Sequence, residues 1–186
     1  MTIRSLSAFK YHYRVPGSRV EGPIRFAVRQ TVLGMVIFGR SPRGICAIFL
    51  GKDAEDLRGQ LREAFPGVSL QADERGLARE LNRIIAFIDK SQPEGVVNLD
   101  IGGTEFQQKV WHALCGIPWG QTRSYGEVAQ NLGMPEAHRA VAGACAANVL
   151  AIAIPCHRVV RSDGSVSDYR WGVERKQALL AEERPQ

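Results

Sequence analysis

Between residues 24 and 50 the chain alternates in short apolar stretches. Residues 24–30, 32–39 and 45–50 are rich in β-branched and aromatic side chains, and turn chemistry separates them at Gly34 and at Ser41-Pro42-Arg43-Gly44. Runs of that kind predict strands, and their close spacing predicts an antiparallel meander. At Leu33-Gly34 the pattern is open between a turn and a bulge. The period then lengthens to that of a helix. Asp53 is placed to cap a helix with the apolar stripe Leu57, Leu61 and Ala64, which Pro66-Gly67 ends. A second stripe, Leu77, Leu81, Ile84, Ile85 and Ile88, stops before Pro93. Residues 1–22 contain Pro16, Gly17 and Gly22 and read as a loosely held leader. The stretch 92–95 reads as a boundary between a small α+β domain and a helical one.

The second half is punctuated by helix caps. Thr104 with Gln107 forms a capping box ahead of Phe106, Val110 and Leu114, and Gly116 and Pro118 close that helix. Ser124 with Glu127 is a second box, opening a helix over 125–132. Gly133 supplies a left-handed stop, and Pro135 suits the first turn of a following helix that runs to about Asn148. Two short helices about a tight glycine turn predict a helix-turn-helix. The second helix holds Ala137, Ala140, Ala142, Gly143, Ala144, Ala146 and Ala147. Side chains this small let a helix approach another surface closely, whether the protein's own core or a nucleic acid.

Composition narrows the function classes. The chain has 186 residues, 45% hydrophobic and 23% charged, the profile of a globular protein. No apolar run approaches the ~20 residues of a membrane helix, and the first ten residues lack the pattern of a signal peptide, so no membrane partner is expected and the cytosol or a bacterial nucleoid is the expected compartment. Cys46, Cys115, Cys145 and Cys156 are scattered without a Cys-x-x-Cys pair, so no metal site is expected. No phosphate-binding glycine loop and no other cofactor motif is present. The net charge of +5 is concentrated in residues 1–30, where Arg4, Lys10, Arg14, Arg19, Arg25 and Arg29 face Glu21 alone. That distribution fits a solubilising tail as well as contact with nucleic acid.

One segment carries chemistry: Ile154-Pro155-Cys156-His157-Arg158-Val159-Val160. A free cysteine is mostly protonated at neutral pH, and its thiolate is the nucleophile. His157 is the candidate base. Neighbouring side chains seldom touch, so a bridging water suits it better than a direct bond, with a third group to orient the imidazole. On its own a Cys-His pair is more often structural than catalytic.

The surrounding string changes that balance. Pro155-Cys156-His157-Arg158 followed by two valines resembles the active-site signature of the O6-alkylguanine-DNA alkyltransferases, also called methylated-DNA–protein-cysteine methyltransferases. Arg139-Ala140-Val141, Asn148 and the region 165–183 agree with it, and Tyr169-Arg170-Trp171-Gly172-Val173 is most similar to the C-terminal domain of bacterial adaptive-response (Ada) proteins. The resemblance is distinctive over 99–183.

It implies an α+β fold: a small N-terminal antiparallel sheet with helices, ribonuclease H-like, and a C-terminal winged helix-turn-helix domain, with boundaries at 1–22, 23–95 and 96–186. It implies direct transfer of a methyl or larger alkyl group from O6 of guanine in double-stranded DNA to Cys156, one turnover per molecule, by a monomer without cofactor. His157 would make the thiolate through water, Glu183 (or the adjacent Glu182) would orient His157, and Asn148 would be the hinge between recognition helix and active-site segment. Arg139 would fill the stack left by a flipped nucleotide, Tyr125 would help rotate its phosphate, and Ala140 would line the minor groove. Tyr169 would donate to the base, and the Val159 carbonyl would accept from its amine. Asp168 departs from the small or neutral residue expected in that loop. The alternatives are a damage-sensing or transcription-regulating DNA-binding domain, and a Cys-His hydrolase.

Overall fold

The computed structural model describes residues 8–88, 95–166 and 168–184. The expected stop at Pro93 and most of the 92–95 boundary lie outside these residues, as does Arg4. Two compact units emerge from the contacts. One comprises the described residues up to Gly103 together with Val149–Ala153. The other comprises Thr104–Asn148 and the described residues from Ile154 onward.

In the first unit the meander is present. Strands β2 (Ile24–Thr31), β3 (Gly34–Ser41) and β4 (Gly44–Gly51) pair antiparallel in sequence. Thr31 faces Gly34, so Val32-Leu33 is a two-residue turn, and Gly34 takes φ 101°, a conformation costly for other residues. The bulge lies elsewhere. Gly39 faces Ala47 and Arg40 faces Ile45, which leaves Cys46 as the extra residue on β4. Cys46 is buried, and burial pushes its thiol up to about 12, so it is a core residue rather than a nucleophile.

The sheet is larger than the meander and is mixed. Its six strands run β1-β6-β4-β3-β2-β5, with β1 (Phe9–Tyr13), β5 (Leu70–Ala72) and β6 (Val97–Ile101) joined by parallel pairings. Two expectations are corrected here. Residues 9–13 are not a loose leader but an edge strand with Phe9 opposite Val97. Residues 97–101 belong to this sheet, so the units divide at Gly103/Thr104 rather than at 95/96. The added strands are short and their partners are distant in sequence, so no local turn signal marks them.

Three of the basic residues singled out in the first thirty positions have acidic partners within this unit. Arg14 pairs with buried Asp100 at 3.3 Å, and Asp100 accepts from Ser41 Oγ at 2.6 Å. Arg25 pairs with Asp73 and Arg29 with Glu74. These guanidiniums hold the sheet and its flanking segment together, so Arg14, Arg25 and Arg29 are not part of a solvated tail. Helix α1 (Ala54–Ala64) is capped as expected: the Asp53 carboxylate accepts from the N–H groups of Glu55 and Asp56. Its Leu57 and Leu61 are fully buried, as are Leu81 and Ile84 of α2 (Ala78–Ile88), whose Phe87 ring meets Phe9 edge-on at 5.1 Å.

The second unit is helical. Both capping boxes form, at Thr104/Gln107 before α3 (Glu105–Cys115) and at Ser124/Glu127 before α4 (Tyr125–Asn131). Gly133 takes φ 71°, and the Met134 N–H returns to the Ala129 carbonyl, which stops α4. Pro135–Ala137 is a tight 3-10 turn rather than the first turn of the next helix, and α5 runs His138–Ala146. Against α5 packs α3, whose Trp111 Nε1 donates to the Ala144 carbonyl at 2.9 Å. Val141, Ala144 and Cys145 are the buried face of α5, while Arg139, Ala140, Gly143 and Ala146 are exposed. A two-residue parallel ladder joins β7 (Arg123–Ser124) to β8 (Val159–Val160), and α6 (Val173–Glu183) is the last described element.

Candidate functional site

Cys156 lies at the start of a 3-10 turn, Cys156–Arg158, that leads directly into β8. Pro155 removes a backbone donor before it, and the Cys156 N–H turns back to the Ile154 carbonyl at 2.8 Å. The turn sets successive side chains in different directions, so the thiol and the neighbouring imidazole take different partners. All three side chains are buried.

The thiol is held by Asn148. Its Nδ2 donates to Cys156 Sγ at 3.2 Å and to the Ile154 carbonyl at 3.0 Å. Burial pushes the Cys156 thiol up to about 11, against the pull of the Asn148 hydrogen bond and the Lys176 ammonium. The resting group is therefore a thiol, and those two partners favour the thiolate once a base removes the proton.

The imidazole is held by Glu183. His157 Nε2 lies 2.8 Å from Glu183 Oε1. Arg158 grips the same carboxylate in a fork, Nε to Oε2 at 2.8 Å and Nη2 to Oε1 at 2.9 Å, while its Nη1 donates to the Ile117 carbonyl at 2.8 Å. Burial tends to raise the pKa of Glu183, but the hydrogen bonds from His157 and Arg158 outweigh it and hold the carboxyl below its usual range. Burial dominates at His157 and lowers its pKa despite the carboxylate. Glu183 is thus ionised and His157 neutral. A carboxylate only accepts, so the imidazole proton sits on Nε2 and the lone pair on Nδ1. Nδ1 is buried and has no hydrogen-bond partner among the described residues. It is the basic nitrogen.

A cavity of about 530 Å³ opens over the thiol, lined by Tyr125, Ala142, Cys145, Ala146, Cys156, Arg161, Asp168, Tyr169 and Arg170. That volume is in the ~300–1,000 Å³ range of small-molecule sites. Tyr169 packs edge-on against buried Trp171 with centroids 5.1 Å apart, and its hydroxyl is buried without a hydrogen-bond partner among the described residues. Burial raises the Tyr169 pKa well above normal, so it remains a phenol that can donate.

Most residues singled out in the sequence meet here. Asn148 is on the Cys156 thiol and Glu183, rather than Glu182, is on the His157 imidazole, two pairs joined by the Cys156-His157 backbone. Tyr125, Tyr169 and Asp168 line the cavity, Asp168 at an exposed position. Arg139 and Ala140 are not in it; they stand on the exposed face of α5. The Val159 carbonyl, expected to receive a base amine, already accepts from Lys176 Nζ at 2.6 Å, which leaves one lone pair for a ligand. Sequence reasoning missed Arg158 as the second ligand of Glu183 and missed Lys176, an almost fully buried ammonium. It also missed that Cys145 shares the cavity with Cys156. Only the adjacency of Arg158 to the Cys-His pair signalled any of these.

Fold and site together define a helix-turn-helix unit that carries a buried thiol held by Asn148 and, next to it in sequence, an imidazole held by a carboxylate. Comparison with known proteins adds the lineage. The family profile described as "6-O-methylguanine DNA methyltransferase, DNA binding domain" matches residues 105–185. The inducible methylated-DNA–protein-cysteine methyltransferase of Bacillus subtilis is 37% identical over 83% of this chain and 82% of its own length. The bifunctional transcriptional activator/DNA repair enzyme Ada of Escherichia coli is 47% identical over 86% of this chain but 45% of its own, so this chain spans about half of that relative. A crystal structure of Mycobacterium tuberculosis OGT in complex with DNA superposes with a TM-score of 0.71 at 32% identity, covering 86% of this chain and 92% of that one. The chain belongs to the methylated-DNA–protein-cysteine methyltransferase family.

Proposed function

We propose that this protein repairs alkylated DNA by moving a methyl or larger alkyl group from O6 of guanine onto Cys156, once per molecule. The observation that carries this reading is the thiol itself: it is held by Asn148 at 3.2 Å, beside an imidazole whose free Nδ1 is set by Glu183, under a cavity of base-accepting size. His157 takes the thiol proton at Nδ1 through a water, and Glu183 stabilises the imidazolium. The thiolate attacks the alkyl carbon; the S–C bond forms as the C–O bond breaks, and the electron pair leaves on the purine. The thioether retains the group, which ends the cycle.

O6 of guanine is inside the duplex, so the nucleotide must leave the stack. The exposed face of α5 suits a shallow groove, because Ala140, Gly143 and Ala146 present almost no bulk and a side chain at Gly143 would meet no atom within 4 Å. Arg139 on that face fills the vacated stack, and Tyr125 assists rotation of the phosphate. The Tyr169 hydroxyl donates to the flipped base, the second lone pair of the Val159 carbonyl receives its amine, and Asp168 borders the opening. No described helix is long and apolar enough to cross a membrane, and the bacterial cytosol is the proposed site of action.

The test is intact mass with peptide mapping after incubation with a duplex containing O6-methylguanine. One methyl per protein, on Cys156, is expected. Tight lesion binding without added mass would replace this reading with that of a damage sensor. Arg139→Ala is expected to slow transfer from the duplex by about 10- to 100-fold, the scale of losing help with base extrusion, while transfer from O6-methylguanine in a single-stranded oligonucleotide changes much less. Stopped quench assays on both substrates check this, and equal losses would remove the stacking role.

A further inference from the structure

Glu183 sets the His157 tautomer, and Arg158 grips Glu183. Arg158 is itself held by one short stretch that follows α3. The Ile117 carbonyl accepts from Arg158 Nη1 at 2.8 Å. The guanidinium carbon lies over the Trp119 ring, 5.5 Å from its centroid. The Gly120 N–H points to Glu183 Oε2 at 3.4 Å. Two residues of this stretch therefore hold the arginine, and a third reaches the carboxylate.

Its shape has a local cause. The Gln121 N–H donates to the Pro118 carbonyl at 3.1 Å, and Gly120 takes φ 77°. Pro118–Gln121 is thus a tight turn with a left-handed glycine at its third position, where other residues are strained. Guanidinium geometry favours what the turn presents. In its plane the Arg158 fork is directed at Glu183 and at the Ile117 carbonyl, and the faces of so planar a cation suit an aromatic ring. That attraction strengthens where water is kept away, and here Arg158 is buried and Trp119 half-buried.

The consequence falls on His157. Burial lowers its pKa most, the Glu183 hydrogen bond and charge raise it, and the charges of Arg158 and Lys176 lower it. Glu183 and Lys176 come from α6, whose Glu174 and Glu182 are exposed and whose Arg175 donates to the Trp171 carbonyl. α3 packs on the same 3-10 turn and carries Glu105 and Lys109 as an exposed pair, with His112 also exposed. Keeping Arg158 seated on the carboxylate and keeping water out both favour the neutral imidazole.

We propose that Trp119 is a positioning residue for the transfer: its ring, on the turn that also supplies Ile117 and Gly120, keeps Arg158 on Glu183 and thereby keeps the Nδ1 lone pair of His157 ready to receive the Cys156 proton. This rests on the function proposed above and assigns the residue that steadies its base.

The experiment uses the full chain and two readouts. The first is the single-turnover rate constant at saturating O6-methylguanine duplex, followed across the pH range around 6.5 where imidazoles titrate. Trp119→Leu keeps apolar cover but loses the ring. It is expected to slow transfer near neutral pH by about 3- to 30-fold, the scale of a lost desolvated cation–π contact, and to move the acid limb of the profile to higher pH. Trp119→Phe keeps a ring face and should recover most of the rate and return the limb. The second readout needs no DNA. Long-range proton–nitrogen NMR of histidine-labelled protein follows the tautomer and titration of His157, the buried one of the chain's four histidines. Trp119→Leu should raise the His157 midpoint in step with the limb, and Trp119→Met serves in its place if that variant does not fold. Equal slowing at every pH, or a His157 midpoint that stays where it was, would overturn the proposal and reduce Trp119 to packing. A shifted midpoint in a protein that transfers no methyl even unaltered would count against the parent function alone.

Discussion

Glu183→Gln is expected to lower the rate of transfer to Cys156 by about 10³- to 10⁴-fold while leaving a folded protein, the scale seen when a carboxylate that sets a catalytic tautomer becomes an amide. The cause is the direction of one hydrogen bond. Glu183 accepts from His157 Nε2 at 2.8 Å, which places the lone pair on Nδ1. Oε1 takes both His157 Nε2 and Arg158 Nη2 while Oε2 takes Arg158 Nε, so an amide whose oxygen stays at the Oε2 position turns its NH₂ toward the imidazole. Nε2 must then accept, the proton moves to Nδ1, and the base is lost. Glu183→Ala should cost more in stability, about 3–5 kcal/mol in urea unfolding, because it strands the buried Arg158 guanidinium. Equal rates for Glu183→Gln and the parent would show that His157 is not the base.

The same cluster makes stability pH-dependent with a defined sign. Both Glu183 and His157 have folded-state pKa values below their ordinary ones. The unfolded chain therefore binds more protons, and stability is lost as pH falls, first below about 6.5 where a free imidazole titrates and then below about 4.3 where a free carboxyl does. The urea midpoint of the parent should fall through this window, and Glu183→Gln should flatten its lower part. A midpoint that rises on acidification would contradict the assignment of a neutral His157 beside an ionised Glu183.

Cys156→Ala is expected to abolish alkyl transfer with little change in duplex affinity. No other described thiol can substitute. Cys46 lies in the other unit with its thiol pushed up to about 12, and Cys115 is buried on α3. Cys145 shares the cavity, but burial raises its pKa above the ordinary range and no described side chain donates to its sulfur as Asn148 does to that of Cys156. The pair of measurements is transfer by intact mass and binding by fluorescence anisotropy on an O6-methylguanine duplex. Methylation of Cys156→Ala at the parental rate would end the nucleophile assignment.

What could be read along the chain was local. Asp53, Thr104/Gln107 and Ser124/Glu127 act within three residues of themselves, so their caps formed where the spacing placed them. The meander needed only alternation and turns of two residues, and Pro-Cys-His-Arg is contiguous. The rest was decided by partners far apart in sequence. Phe9 finds Val97 and Arg14 finds Asp100, so a stretch that looks like a basic leader becomes an edge strand with a buried ion pair. His157 finds Glu183 across 26 residues, and Val159 finds Lys176 across 17. A buried charge leaves no periodic trace, because its burial is tolerated only when tertiary packing delivers the opposite charge or a carbonyl to it. The sequence thus pointed to the candidate nucleophile and to the helices of the unit that holds it. Tertiary structure decided which carboxylate sets the imidazole, which guanidinium and ammonium are drawn inward, and which side chains wall the cavity above the sulfur.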